Sequence, residues 1–198
     1  MRLKLAIAIL VVAGVGFAFH ERKVSLEHRL GAVATQLGNR HVHVRCQGLA
    51  GDLLDVTSEA GTVGFDASGI PADYTDLKRA ICNALRRFPN DVRSADYGCV
   101  LAGAECSHKI FEDVLAVHTL AHEVWHLHGI GSEGLAECYA LQTTATAAML
   151  FGADPAAAQR TADYAFARFF PHMPDEYRLP DCSNGGPHDL RPTDPVWP

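Results

Sequence analysis

Residues 122–126, His122-Glu123-Val124-Trp125-His126, form the H-E-x-x-H pattern. On a helix, residues four apart share a face with Cβ atoms about 6 Å apart, so both imidazoles can reach one metal ion. Glu123, next to His122, then points at a water on that ion. Zinc lowers the pKa of its water to about 7, and a carboxylate within hydrogen-bond reach can take that proton and later pass it to a leaving amine. The spacing therefore predicts His122 and His126 as ligands of Zn2+ and Glu123 as the catalytic base of peptide-bond hydrolysis. The plainer reading is a core in which two His and a Glu merely satisfy one another.

A catalytic zinc usually has three protein ligands. Downstream, Ser132-Glu133-Gly134-Leu135-Ala136-Glu137-Cys138 offers two acids one turn apart. The short Gly129–Gly131 link forces their helix to run back antiparallel to the first. Glu133, nearer the turn, is expected beside His126 as the third ligand, and Glu137 beside His122, orienting its ring from behind. The roles of the two acids can be exchanged, and an acid at Glu133 is also favoured simply by the positive end of a helix. His118 is not expected to bind the ion. Its Cα stands about 12 Å from that of His126 along a helix, too far for two ligands of one tetrahedral ion. It is expected to pack or to support a ligand, and His128 to meet the C-terminal end of the helix dipole. His41 and His43 share a strand face without a partner signal. His172, His188, Tyr139, Tyr164 and Tyr177 are candidates to reach the cleft and stabilise an oxyanion.

Several elements must position these groups. Ile110–His128 has no Gly or Pro and is apolar around most of its circumference, as a central helix should be. Ser132 can cap a returning helix to about Phe151, and Asp154-Pro155 opens another to about Phe170. Upstream, Val24–Leu37 has helical spacing, His41–Arg45 alternates as a strand, and Gly61–Asp66 is a weaker strand. Ser68–Pro71 reads as a loop, Thr75–Phe88 as an amphipathic helix closed by Pro89-Asn90, and Asn90–Ser107 as irregular. From 171 to 198 the chain is rich in Pro, Gly and Asp without a period.

Composition narrows the setting. A chain of 198 residues, 48% hydrophobic and 20% charged, is one domain rather than a disordered polymer. A net charge of -6 gives no basic surface for nucleic acid, which is excluded as a partner. Arg2 and Lys4 precede an apolar run from Leu5 to Phe19, the pattern of a signal peptide (1–19) or, if uncleaved, of an N-terminal membrane anchor. The protein is accordingly expected outside the cytoplasm, secreted or membrane-associated through that segment. There, six Cys without a C-x-x-C read as cross-links. Cys138 is expected to pair with Cys182, because the tail has no other attachment, with Cys99–Cys106 and Cys46–Cys82 as companions.

Together, His122, Glu123, His126 and Glu133-Gly134-Leu135-Ala136-Glu137, with the small Ala140, resemble the gluzincin branch of the zincin metallopeptidases over about 25 residues, 119 to 143. The gap from His126 to Glu133 is shorter than in large members, and Glu137 stands where Asp is commoner. The metzincin pattern does not fit, since Ser132 occupies its third His position. The resemblance implies an α+β, zincin-like domain at 24–170, with a small strand layer, a central metal-binding helix and a returning helix, and a packed tail at 171–198. It also implies a peptide or protein substrate. Alternatives are a non-peptidase zinc hydrolase, such as a cell-wall amidase, and a non-catalytic exported binding protein.

Overall fold

A computed structural model describes residues 2–48 and 59–193, with side chains from residue 20 onward. In chain order the elements are α1 (Arg2–Gly38), β1 (His43–Cys46), β2 (Gly61–Thr62), β3 (Tyr74–Leu77), α2 (Arg79–Asp91), a short α3 (Gly98–Leu101), α4 (His108–Leu127), α5 (Glu133–Leu150) and α6 (Pro155–Arg168). The fold is α+β, with six helices and a three-stranded sheet among the described residues. The export or anchor expectation rests on side chains of residues 1–19, which lie outside those described, as does the end of the tail at 194–198. Among the described residues no helix is long and apolar enough to cross a membrane.

Helix α4 lies at the centre because its apolar positions cover nearly every direction. Val114, Val117, Leu120, Ala121, Val124 and Leu127 are all buried, and a buried Val or Leu side chain contributes about 1.5–3 kcal/mol. The helix starts where the Ser107 hydroxyl accepts a bond from the Ile110 N–H at 3.5 Å. It stops at Gly129, whose φ of 88° belongs to a left-handed turn that a side chain would strain. Ser132 then caps α5, its hydroxyl accepting from the Leu135 N–H at 3.4 Å. Asp154 caps α6 by accepting from the N–H groups of Ala156 and Ala157, each at 3.0 Å. The α4–α5 hairpin is thus set locally, by two caps and a glycine.

The sheet has the order β1-β3-β2. β1 runs parallel to β3, from His43 opposite Tyr74 to Cys46 opposite Leu77, and β2 is antiparallel to β3. β3 corrects the sequence expectation of a helix starting at Thr75. Tyr74–Leu77 turns Thr75 and Leu77 inward with a period of two, and the helix begins only at Arg79. Four residues satisfy either period, and the decision comes from a partner strand about thirty residues upstream. Helix α2 also runs through Pro89 to Asp91, since a proline in the last turn removes a single N–H, and the Val92 N–H still reaches the Phe88 carbonyl at 2.9 Å. Nor is 90–107 wholly irregular. It holds a 3-10 turn at Ala95–Tyr97 followed by α3, which seats the fully buried Tyr97 with its hydroxyl 2.7 Å from that of Thr161.

Disulfides join Cys46 to Cys82, Cys99 to Cys106 and Cys138 to Cys182, and no cysteine is free among the described residues. They close loops of 36, 7 and 44 residues. In the chain-entropy picture such loops stabilise by about 4, 2.5 and 4 kcal/mol. Cross-links of this density suit folding in an oxidising compartment, outside the cytoplasm. The tail is further tied to α5 through Gln142, which donates to the His188 carbonyl at 2.9 Å and accepts from the Leu190 N–H at 2.7 Å.

Candidate metal centre

His122 and His126 are one turn apart on α4, and both rings face α5. The His126 Nε2 lies 2.9 Å from the His122 Nε2. Glu133, in the first turn of α5, brings its Oε2 to 3.1 Å from His122 Nε2 and 3.3 Å from His126 Nε2. One acid therefore sits between both histidines rather than beside His126 alone.

The far side of each ring fixes its tautomer. His126 Nδ1 is 2.6 Å from the Ile130 carbonyl, which can only accept, so that nitrogen carries the proton. His122 Nδ1 is 3.1 Å from Glu137 Oε2, another acceptor. With both Nδ1 atoms donating outward, the neutral rings turn two Nε2 lone pairs toward a carboxylate oxygen. Three acceptors within 3.3 Å of one another call for a cation among them. A proton is one answer. Although burial disfavours its charged form, His122 is pushed up to about 9 by its hydrogen bonds to Glu133 and Glu137. Those from His122 and then His126 hold the Glu133 carboxyl far below the usual carboxylate range.

A metal ion is the other. Tetrahedral bonds of about 2.1 Å place neighbouring ligand atoms about 3.4 Å apart, close to the spacing of these three. Among the described residues, His122, His126 and Glu133 are the group that can hold a metal ion. The Glu133 side chain is 38% exposed, so the cluster opens to solvent on the side of the acid.

Glu123 faces the same cavity, of about 350 Å³, from which its carboxyl reaches back to the sheet. Its Oε2 is 3.3 Å from the Thr75 hydroxyl, which is also 3.1 Å from the Thr62 carbonyl. Gly61 makes room, since a Cβ there would stand 2.7 Å from Glu123 Oε1. Burial raises the Glu123 carboxyl to about 7 against the opposing pull of His122 and His126. An acid poised there can both take and return a proton near neutral pH.

Glu137 is 1% exposed and sits behind the ring of His122, its carboxyl well below the usual range because the imidazoles of His118 and His122 outweigh the cost of burial. His118 binds no part of the three-atom cluster but meets Glu137 directly, at 2.9 and 3.1 Å. Of the three tyrosines considered from sequence, Tyr177 lines the cavity, with its ring 5.7 Å from that of His122. Burial and the Glu133 carboxylate both raise its hydroxyl pKa. Tyr139 packs against Trp125 with the ring planes tilted by 47°, and Tyr164 packs against Phe169. His172 and His188 stand outside the cavity, and His43 on β1 and His41 just before it are exposed. His128 stands at the C-terminal cap of α4, and its Nε2–H donates to the Gly38 carbonyl, fastening the end of α1 to the end of α4.

Thr75, Gly61, Ile130 and Thr144 were not foreseen. Only Gly61 carries a local signal, a glycine within a strand pattern, which marks a close backbone approach. In comparisons with protein-family models, curated proteins and solved structures, none matched the chain.

Proposed function

We propose that this protein is a zinc-dependent hydrolase of peptide bonds that acts outside the cytoplasm, built as a small zincin-like domain. The observation that carries the reading is the convergence of His122 Nε2, His126 Nε2 and Glu133 Oε2, with both ring Nδ1 atoms committed to acceptors behind them. Two imidazoles and a carboxylate in a site open on one side are the donor set of a catalytic zinc. When bound, zinc supplies a Lewis acid that polarises a carbonyl and makes water nucleophilic near neutral pH.

The chain's own groups do the rest. Glu123, with its carboxyl near 7, accepts a proton from the attacking water on a carboxylate oxygen and returns it to the amine nitrogen as the amide bond breaks. Thr75 and the bare face of Gly61 hold that carboxyl in place. The Tyr177 hydroxyl, kept protonated by burial beside Glu133, is available to donate to the oxygen of the tetrahedral intermediate. Leu115, Val63, Phe65 and Met173 complete the walls, favouring peptides with an apolar side chain near the scissile bond.

The test is Glu123→Gln in the oxidised, purified protein. The variant should retain about one zinc per chain while hydrolysis of a peptide pool drops at least about a hundredfold. Loss of zinc would make Glu123 a structural residue, and unchanged hydrolysis would remove it as the base. Wild-type protein that binds zinc, cleaves no peptide, yet releases amide from cell-wall material would replace the peptidase by an amidase.

A further inference from the structure

His118 has no place among the three atoms that converge between α4 and α5, yet it is 2% exposed and bonded through both nitrogens. Its Nδ1 is 2.8 Å from the Thr144 hydroxyl, and its Nε2 is 2.9 and 3.1 Å from the two Glu137 oxygens. Glu137 Oε2 in turn lies 3.1 Å from His122 Nδ1. The four side chains form a ladder that crosses between the helices at each rung: Thr144 on α5, His118 on α4, Glu137 on α5, His122 on α4. Thr144 is fixed as well, its hydroxyl 2.8 Å from the Ala140 carbonyl one turn back.

We infer that His118 is a positioning residue for the metal centre, acting on His122 through Glu137. A glutamate has three rotatable side-chain bonds, and a bond to one imidazole N–H leaves its carboxyl plane free to turn. The His118 N–H, set between both oxygens, removes that freedom. It fixes the oxygen that receives the His122 Nδ1–H, and with it the direction of the His122 Nε2 lone pair. A ring held this way is an oriented ligand before any ion arrives, and groups that orient a ligating histidine are typically worth about 10 to 100-fold in metal affinity. The spacing along α4 fits the role. His118 is one turn before His122 on the same face, too far from His126 to bind the same ion but level with the acid behind the nearer ligand.

The inference rests on the zinc reading above, and a double-mutant cycle on zinc affinity separates the two. Zinc dissociation constants are measured by competitive chelation for the wild type, His118→Phe, Glu137→Leu and the double variant, with the melting temperature of each metal-free form recorded alongside. Expected are a loss of affinity of about 3 to 30-fold for His118→Phe, a loss of about 10 to 100-fold for Glu137→Leu, and no further loss when His118→Phe is added to Glu137→Leu. His118→Gln, whose amide N–H can still reach the carboxylate, should recover most of the affinity. Equal losses from His118→Phe in both backgrounds would mean that His118 acts by packing, and would overturn the inference while leaving the zinc centre standing. A wild type that binds no zinc would remove both. Should His118→Phe not fold, Thr144→Val releases the far side of the same ring. A loss of about 2 to 5-fold that vanishes beside Glu137→Leu supports the ladder, and a loss that persists there overturns it.

Discussion

At the N-terminal end of α4, the fully buried Asp113 stands 2.6 Å from the Arg87 guanidinium. At its C-terminal end, the buried Glu123 and Glu137 and the half-buried Glu133 have, among the described residues, only imidazoles for cationic neighbours. The first cluster closes on itself. Arg87 also reaches Glu112 at 2.8 Å and Asp91 at 3.7 Å, and Lys109 pairs with Asp91, so permanent cations are supplied by neighbouring side chains. The second cluster contains no Lys or Arg. Its histidines pass their protons outward to Ile130 and Glu137 and turn their remaining lone pairs to one point beside Glu133. Buried charge alone therefore does not mark a functional site, because a helix can bury acids for structural reasons a few turns from where it buries them for chemistry. What distinguishes the second cluster is a convergence of acceptors that no Lys or Arg among the described residues answers.

The sharpest way to break this comparison is to delete an acceptor. His126→Ala should reduce zinc affinity by at least about a thousandfold. Glu133→Ala should lose more than the roughly 10 to 100-fold expected when Glu137 is removed from behind the ring. Competitive chelation decides. If Glu137→Ala binds zinc more weakly than Glu133→Ala, Glu137 is the ligand and the convergence has been misread. Near-native affinity in both would leave a two-histidine site unlike a catalytic zinc.

A smaller effect is expected from removing the cation of the other cluster. Above about pH 8, where Asp113 is ionised, Arg87→Ala strands its carboxylate, and breaking a buried pair costs about 3–5 kcal/mol. With the Arg87 side chain 27% exposed, solvent screens part of that, and about 2–3 kcal/mol of unfolding free energy should be lost. Zinc affinity should stay within about twofold, since the two clusters share a helix but no side chain. Parallel denaturation and chelation measurements check both halves. A large loss of zinc affinity in Arg87→Ala would show that the ends of α4 are coupled.

The two ends were unequally legible in the sequence. The ligand pair, the base and the acids on the returning helix follow from spacing on a helix and from a hairpin set by Gly129 and Ser132, all local signals. The caps and the apolar circumference of α4 are local too. Tyr74–Leu77 is too short to declare a period without its partner β1, so the sequence alone gives a helix from Thr75 and hides the place of Thr75 under Glu123. For His118, spacing excluded a ligand but could not name Glu137 as its neighbour, because that contact depends on the rotation of α5 against α4. The Arg87 cluster went unseen for the same reason. A charge on α2 gives no hint that it will meet an acid buried on α4.

The smallest effect concerns pH. Burial, and then the neighbouring Asp91 carboxyl, push the Asp113 carboxyl up to about 7 against the pull of Arg87. Arg87 Nε and both Asp113 oxygens lack a hydrogen-bond partner of good geometry, so the guanidinium is close without being aligned, and its compensation is incomplete. In the unfolded chain an aspartate titrates near 3.9, so between about 4 and 7 the folded protein keeps a proton that the unfolded chain has released. The contribution of this group to stability is therefore present below about 4, declines as pH rises toward 7, and is constant above. Asp113→Asn cannot ionise and removes that slope. Measured by urea unfolding of the oxidised protein, the wild type should lose about 1–2 kcal/mol relative to Asp113→Asn between pH 6 and pH 8. If the difference between wild type and variant instead stays flat over that range, Arg87 holds Asp113 ionised throughout, and the closed cluster is a fully compensated ion pair.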